Sequence, residues 1–142
     1  MIATMSKIYV VSDAKQVLDE VGSALEFVSQ SVSRFQSYKT LADACRQTAP
    51  DLVVADMQVG HMGGMAIALD LHLEESGGRL PHIPVLLLLD RRADVFLAHR
   101  SKVEGFLVKP LDSFRIGDAA KAILSGGTYE DPSFKPESVP VP

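Results

Sequence analysis

The sequence is poor in the residue types that mark several classes of protein. It contains one cysteine, Cys45, and no tryptophan among 142 residues. A single cysteine excludes an internal disulfide and a cysteine-based zinc cluster, so we expect a reducing, cytoplasmic setting. Residues 1–7 are too short and polar for a signal peptide, and no apolar stretch approaches bilayer length. We therefore expect a soluble protein without membrane contacts.

Positive charge is also scarce, since the formal net charge is −4. Phosphate binding normally needs a clustered basic excess, so this composition disfavours nucleic acid as a partner. A chain of 142 residues, of which 46% are hydrophobic, can bury one sizeable core but is short for two ordinary domains. The composition therefore predicts one domain.

Short apolar runs separated by helix-like segments dominate the rest of the chain. The strand signals cover residues 7–11, 51–55, 83–89 and 104–108, with a weaker alternating segment at residues 31–38. The run at residues 85–89 has no polar alternation, which is typical of a parallel-sheet strand with helices on both faces. We therefore expect that strand to be central.

Helical patterns fill the intervals between these strands. Apolar residues recur at helical spacing from Val17 to Val28, in residues 40–48 and in residues 113–124. Glycine pairs bracket residues 65–75, which we interpret as the third helix, and a fourth is predicted in the basic zone at residues 91–102. The order predicts a doubly wound, flavodoxin-like α/β domain. Its five-stranded parallel sheet should have the strand order 2-1-3-4-5, with a ligand site at the carboxyl ends of the strands.

The domain is expected to occupy residues 1–125. Residues 126–142 contain four prolines and few apolar side chains, a composition that cannot repay the entropy of ordering. We therefore predict a flexible tail. The tail either has no function of its own or serves to dock a partner.

Three charged residues fall at or just after predicted strand ends: Asp13, Asp56 and Lys109. Because carboxyl ends of parallel strands meet at one edge, we expect these side chains to converge. Two carboxylates favour a hard cation such as Mg²⁺. That ion and the ammonium group of Lys109 together can neutralise the negative charge on a phosphoryl group during its transfer. Asp56 directly ends a buried strand and is the better nucleophile candidate. The structural alternatives are a helix cap for Asp13, a strand end for Asp56 and a solvated lysine.

At this point the sequence resembles the response-regulator receiver family, in a chemotaxis-regulator-like but atypical form. The resemblance covers residues 7–125, and its motifs lie at residues 8–13, 50–64, 83–85 and 105–110. It implies that Asp56 is the phosphoryl acceptor and that Lys109 binds the phosphoryl group. It also implies that Asp13, Asp56 and the backbone carbonyl of Gln58 hold Mg²⁺, and that the bond between Lys109 and Pro110 is cis.

Several positions depart from the family pattern. Ser12 replaces the first member of an acidic pair, and Leu89 replaces a Ser or Thr whose hydroxyl belongs to the family's switch. Leucine cannot donate a hydrogen bond, and its bulk is expected to hinder the inward movement of the switch aromatic, Phe106. Asp90 places a further carboxylate near the pocket, where it could repel a phosphoryl group, recruit metal or cap a helix.

Two functions are compatible with these residues. In the first, the protein is a non-enzymatic signalling receiver that takes a phosphoryl group on Asp56 from a histidine kinase or phosphotransfer protein. It would signal to an unidentified downstream protein, and the face formed by helix 4, strand 5 and helix 5 is a candidate homodimer surface. In the alternative, motivated by Ser12 and Leu89, it is a pseudo-receiver that serves as an interaction scaffold independently of phosphorylation.

Overall fold

Strands and helices alternate along the chain in the computed structural model, which describes residues 4–58 and 63–132. The strands are β1 (Thr4–Val11), β2 (Ser29–Phe35), β3 (Leu52–Asp56), β4 (Val85–Leu89), β5 (Gly105–Val108) and β6 (Tyr129–Glu130). The helices are α1 (Lys15–Leu25), α2 (Tyr38–Gln47), α3 (Gly64–Ser76), α4 (Val95–Arg100) and α5 (Ser113–Leu124), and a 3₁₀ turn (Arg92–Asp94) precedes α4. None of the helices in these two ranges is long and apolar enough to cross a bilayer.

The strands form one sheet in the order β2-β1-β3-β4-β5-β6, and every neighbouring pair is parallel. The predicted flavodoxin-like order 2-1-3-4-5 is confirmed for the first five strands. The carboxyl ends of β1, β3, β4 and β5 therefore lie along one edge of the sheet, and this edge carries the candidate site.

The sixth strand corrects the predicted sheet and the predicted tail boundary. β6 pairs with β5, and the backbone N–H of Tyr129 donates to the carbonyl of Glu104 at 2.9 Å. The next residue, Asp131, is buried. Residues 126–132 thus belong to the folded unit, and the rest of the predicted tail, residues 133–142, lies outside the described residues.

Side chains that alternate along the strands form two cores, one on each face of the sheet. Helices α1 and α5 cover one face, whose largest strand contributions come from Leu52, Leu86, Leu88 and Leu107. Helices α2, α3 and α4 cover the other face. The strand side chains on that face include Leu87, Leu89 and Phe106. Each fully buried leucine stabilises the fold by about 2 kcal/mol, so the apolar run of β4 holds the centre of the domain rigidly.

Helix caps decide two of the structural alternatives raised by the sequence. The N-cap of α1 is Ala14, not Asp13. The N-cap of the 3₁₀ turn is Arg91, and α4 begins after Asp94, so Asp90 caps neither element. Both carboxylates therefore need an explanation other than helix capping.

Candidate functional site

Asp56 lies at the carboxyl end of the central strand β3, with 1% of its surface exposed. Each of its carboxylate oxygens accepts a short hydrogen bond: Oδ1 from Lys109 Nζ at 2.6 Å and Oδ2 from Ser12 Oγ at 2.7 Å. A buried carboxylate is costly unless it is paired in this way. The ammonium group of Lys109 and the hydroxyl of Ser12 reach Asp56 because β5 and β1 end at the same edge of the sheet as β3.

Lys109 connects Asp56 to a second acid. Its backbone N–H donates to the carbonyl of Leu89 at 2.9 Å, which extends the ladder between β4 and β5 by one step. The bond to Pro110 is cis, as the family resemblance implied. The Nζ atom also donates to Asp90 Oδ1 at 2.7 Å, so one ammonium group bridges two carboxylates. Burial alone would lower the pKa of Lys109, but the bonds to Asp56 and Asp90 outweigh it and raise that pKa.

Asp90 immediately follows β4 and is partly exposed, at 30% of its side chain. Its second oxygen, Oδ2, accepts a hydrogen bond from Gln58 Nε2 at 3.2 Å. Burial alone would raise the pKa of Asp90, but hydrogen bonds from Lys109 and Gln58 and the nearby charges of Lys109 and Arg91 lower it overall. Asp90 is therefore ionised at neutral pH.

Ser12 is buried at the end of β1, in the position of the missing acid. Its hydroxyl donates to Asp56 and accepts the backbone N–H of Ala14 at 3.0 Å, at the start of α1. A carboxylate at this position would repel Asp56, whereas the hydroxyl stabilises its charge. The substitution thus exchanges a candidate metal ligand for a hydrogen-bond donor.

Backbone contacts connect the three residues predicted to bind magnesium, Asp13, Asp56 and Gln58, at this edge of the sheet. The backbone N–H of Asp13 points to the carbonyl of Gln58 with an N···O distance of 3.4 Å, and the N–H of Gln58 points to Asp56 Oδ1 at 3.4 Å. No group of three or more His, Cys, Asp or Glu side chains suited to a metal occurs within residues 4–58 and 63–132. Mg²⁺, however, is usually held by one or two carboxylates and keeps several waters. The two carboxylates and one carbonyl fit this ion in their chemistry.

Comparison with known proteins decides the family. The family model for the response regulator receiver domain matches residues 8–121 of the sequence. The chain belongs to the response-regulator receiver family. The comparison with curated proteins gave no match.

Solved receiver structures share the fold of this receiver at low sequence identity. A LuxR-family two-component response regulator from an Aurantimonas species superposes with a TM-score of 0.76 at 21% identity, over 92% of this chain and 93% of that one. The receiver domain of a signal transduction histidine kinase from Syntrophus aciditrophicus has a TM-score of 0.73 at 22% identity, over 96% and 98%. DrrB of Thermotoga maritima, an OmpR/PhoB homologue, has a TM-score of 0.72 at 22% identity over 88% of this chain. This receiver spans 55% of the length of DrrB.

The two predicted switch positions, Leu89 and Phe106, lie in the same core, on the face covered by α4. Phe106 is only 3% exposed, and its ring meets that of His99 edge-on with centroids 5.5 Å apart. Both side chains therefore fit inside the core together when Phe106 points inward, and the hindrance of its inward movement by Leu89 stays a prediction. Leu89 still provides no hydroxyl at the end of β4.

The sequence predicted that Asp13, Asp56 and Lys109 converge. The structure joins the side chains of Asp56 and Lys109 and brings the backbone of Asp13 to Gln58. The role of Asp90 was left open. The decisive feature of Asp90 is its contact with the ammonium group of Lys109. One signal for it was available, since Asp90 follows β4 directly at the edge where the other site residues converge. Five charged or polar side chains thus form a connected site: Ser12, Asp56, Gln58, Asp90 and Lys109.

Proposed function

We propose that this receiver accepts a phosphoryl group on Asp56 in two-component signalling. The observation that carries the proposal is the buried carboxylate of Asp56 with the ammonium group of Lys109 at 2.6 Å. In the reaction, a carboxylate oxygen of Asp56 forms a bond to phosphorus while the bond to the donor's leaving group breaks. The leaving group departs with the electron pair. Lys109 lies where it can stabilise negative charge on the phosphoryl oxygens.

Receiver domains generally bind Mg²⁺ at the phosphorylation site. In this chain the ligands would be Asp13, Asp56 and the backbone carbonyl of Gln58, and the ion would neutralise charge on the transferred group. Ser12 has a different task, since its hydroxyl orients Asp56 through Oδ2. We expect weaker magnesium binding than three carboxylates would give, because fewer negative charges face the ion.

The partners follow from the family. We propose a histidine kinase or a phosphotransfer protein as the donor and a cytoplasmic setting, with a protein target that remains to be identified. The receiver acts as a signalling protein and not as an enzyme. A homodimer through α4, β5 and α5 stays part of this proposal. Such a surface would include β6, because Glu130 Oε1 lies 2.7 Å from His99 Nε2 on α4.

A pseudo-receiver that acts without phosphorylation is the second candidate. Two observations favour it: Leu89 offers no hydroxyl to a phosphoryl group, and Asp90 already occupies one side of Lys109. In this case the charged cluster would serve only to stabilise the edge of the sheet, and the surface would bind its partner in one constant form.

Incubation with acetyl phosphate and Mg²⁺, followed by intact-protein mass spectrometry, tests the proposed function. We expect a gain of one phosphoryl group that Asp56→Asn abolishes. Asp51→Asn is the matched control, because Asp51 precedes the same strand at its opposite end and accepts a bond from the backbone of Lys7. It should leave the gain unchanged. No adduct on the unmodified chain would reject the proposed function and favour the pseudo-receiver.

A further inference from the structure

Lys109 is shared between two carboxylates at nearly equal distances. Its Nζ atom lies 2.6 Å from Asp56 Oδ1 and 2.7 Å from Asp90 Oδ1. An ammonium group has three N–H donors and no acceptor, so two of the three are committed to these acids. One positive charge therefore faces two negative charges before any phosphoryl group arrives.

Asp90 is fixed in this position from two sides. Lys109 holds Oδ1, and the side-chain amide of Gln58 holds Oδ2 at 3.2 Å. The partial exposure of Asp90 contrasts with the burial of Asp56, so Asp90 lies on the solvent side of the shared ammonium group. A phosphoryl donor that approaches Asp56 from solvent must come close to this second carboxylate.

We propose that Asp90 is a positioning residue that restrains Lys109 and thereby slows phosphorylation of Asp56. This inference rests on the proposed function, since it concerns the reactivity of the same site. The Asp90 carboxylate takes the place beside Lys109 that an oxygen of the phosphoryl group would otherwise occupy. It also repels the negative charge of the donor.

The transfer step keeps its ordinary balance under this proposal. The bond from phosphorus to the donor oxygen breaks, its electron pair stays with the donor, and a bond from phosphorus to an Asp56 oxygen forms. Lys109 remains protonated throughout and moves one N–H donation from Asp90 to a phosphoryl oxygen. Asp90 then keeps only the bond from Gln58, or reaches solvent, to which it is already partly exposed.

Asp90→Asn tests this inference with little change in shape. An asparagine keeps an oxygen that can accept from Gln58, but it removes the negative charge that holds Lys109. We expect phosphorylation by acetyl phosphate at saturating Mg²⁺ to become about tenfold faster, the factor expected for loss of one charge-assisted hydrogen bond. Asp118→Asn on α5 is the control for removal of a carboxylate elsewhere, and it should leave the rate unchanged. Adding Asp56→Asn to Asp90→Asn must abolish the adduct.

A second readout separates a direct effect from a loosened fold. Beryllofluoride, a phosphoryl analogue, should bind Asp90→Asn about tenfold more tightly than the unmodified chain, because Lys109 no longer has to leave Asp90. Amide NMR spectra of the free proteins should differ only around Gln58, Asp90 and Lys109. Faster phosphorylation without tighter beryllofluoride binding would overturn the inference, since restraint of Lys109 predicts both.

The possible outcomes distinguish this inference from the proposed function. Equal rates for the unmodified chain and Asp90→Asn would overturn the inference and leave the proposed function in place. A slower rate for Asp90→Asn would also overturn it and would indicate that Asp90 assists the reaction, for example by recruiting metal. No adduct in either protein would reject the proposed function and the inference with it.

Discussion

Two clusters in this receiver have the same charge pattern, an acid, a cation and an acid, yet their partners differ in kind. In one cluster Lys109 lies between Asp56 and Asp90, and in the other Arg115 lies between Asp112 and Asp131. The arginine cluster is tied to the backbone, whereas the lysine cluster consists almost entirely of side chains. The Lys109 cluster is therefore the one whose partners can rearrange.

The Arg115 cluster is closed by main-chain partners. The guanidinium group donates to the carbonyls of Val108 and Pro110, and the buried Asp131 accepts the backbone N–H of Val108 at 3.0 Å. A planar guanidinium with donors in a fixed fork suits such a set of fixed acceptors. The cluster joins α5, the end of β5 and the residue after β6, so its role is structural.

The Lys109 cluster has the opposite character. An ammonium group is a compact charge on a flexible stem, and it can exchange one acceptor for another by small rotations. The cluster contains a buried carboxylate at its base and a partly exposed carboxylate toward solvent. Backbone acceptors therefore favour a fixed, structural ion pair, whereas side-chain acceptors at a strand edge allow an ammonium group to change partners.

Disruption of the Arg115 cluster is expected to have the largest effect on stability. Asp131→Ala removes one of the two carboxylates that balance the charge of Arg115. It also removes the acceptor of the backbone N–H of Val108. Because Asp131 is 0% exposed, we expect a loss of about 3 kcal/mol in the free energy of unfolding. Urea denaturation followed by circular dichroism measures this change.

Asp112→Ala is the matched control in the same cluster. Asp112 is half exposed and caps α5 by accepting the backbone N–H of Arg115 at 2.9 Å, so its loss should cost only about 1 kcal/mol. Equal losses for the two variants would show that burial against the backbone does not set the strength of this cluster.

An intermediate effect is expected for Leu89→Thr, which introduces a hydroxyl at the buried end of β4. The fully buried site offers Leu87, Phe106 and other apolar neighbours, so we expect a loss of about 2 kcal/mol in the free energy of unfolding. Beryllofluoride on Asp56 would give the hydroxyl an acceptor and should reduce this loss. A loss that stays the same with and without beryllofluoride would show that position 89 does not sense Asp56.

The smallest effect concerns a third group of the same pattern, in which His82 lies between Glu75 and Glu104. The two ring nitrogens are 2.8 Å from Glu75 Oε1 and 2.6 Å from Glu104 Oε1. The hydrogen bond to Glu75, reinforced by the bond to Glu104 and by both charges, raises the pKa of His82 above its ordinary value of 6.5. The stabilisation is therefore fully present below pH 6.5 and is lost as the pH rises through the higher folded-state pKa.

His82→Gln should remove that pH dependence. Because the side chain of His82 is 47% exposed, solvent screening limits the effect to less than about 1 kcal/mol. Urea midpoints between pH 5.5 and 8.5 measure it, with His72→Gln as the control, since the ring of His72 stacks on that of His82. A difference between His82→Gln and the unmodified chain that does not change with pH would contradict the assignment.

The sequence was sufficient to predict the central sheet, because the run from Leu86 to Leu89 has no alternation and each of its side chains is fully buried. The meeting of Asp56 and Lys109 could also be predicted, since it follows from strand order. β6 could not, because two residues carry no periodic signal, and its pairing with β5 and the contact of the next residue, Asp131, with Arg115 are seen only in the structure. The contact between Asp90 and Lys109 likewise depends on distances that spacing along the chain does not give.

The buried position of Phe106 shows a further limit of the sequence. The bulk of Leu89 suggested that it would hinder the inward movement of Phe106, but Leu89 and Phe106 are not opposite one another in the sheet. The register places Phe106 beside Leu87, and Leu89 beside Val108. A side chain's size predicts a clash only when its partner across the ladder is known.

The short strand β6 also bears on how this chain behaves in solution. Without it, the four residues of β5 would form an edge with unpaired backbone groups, the kind of template on which strands of other molecules can add. β6 presents a two-residue edge instead, too short for stable strand addition. A version of the chain cut after residue 125 would therefore lose more than a terminal segment, because it would expose a sheet edge and invite self-association.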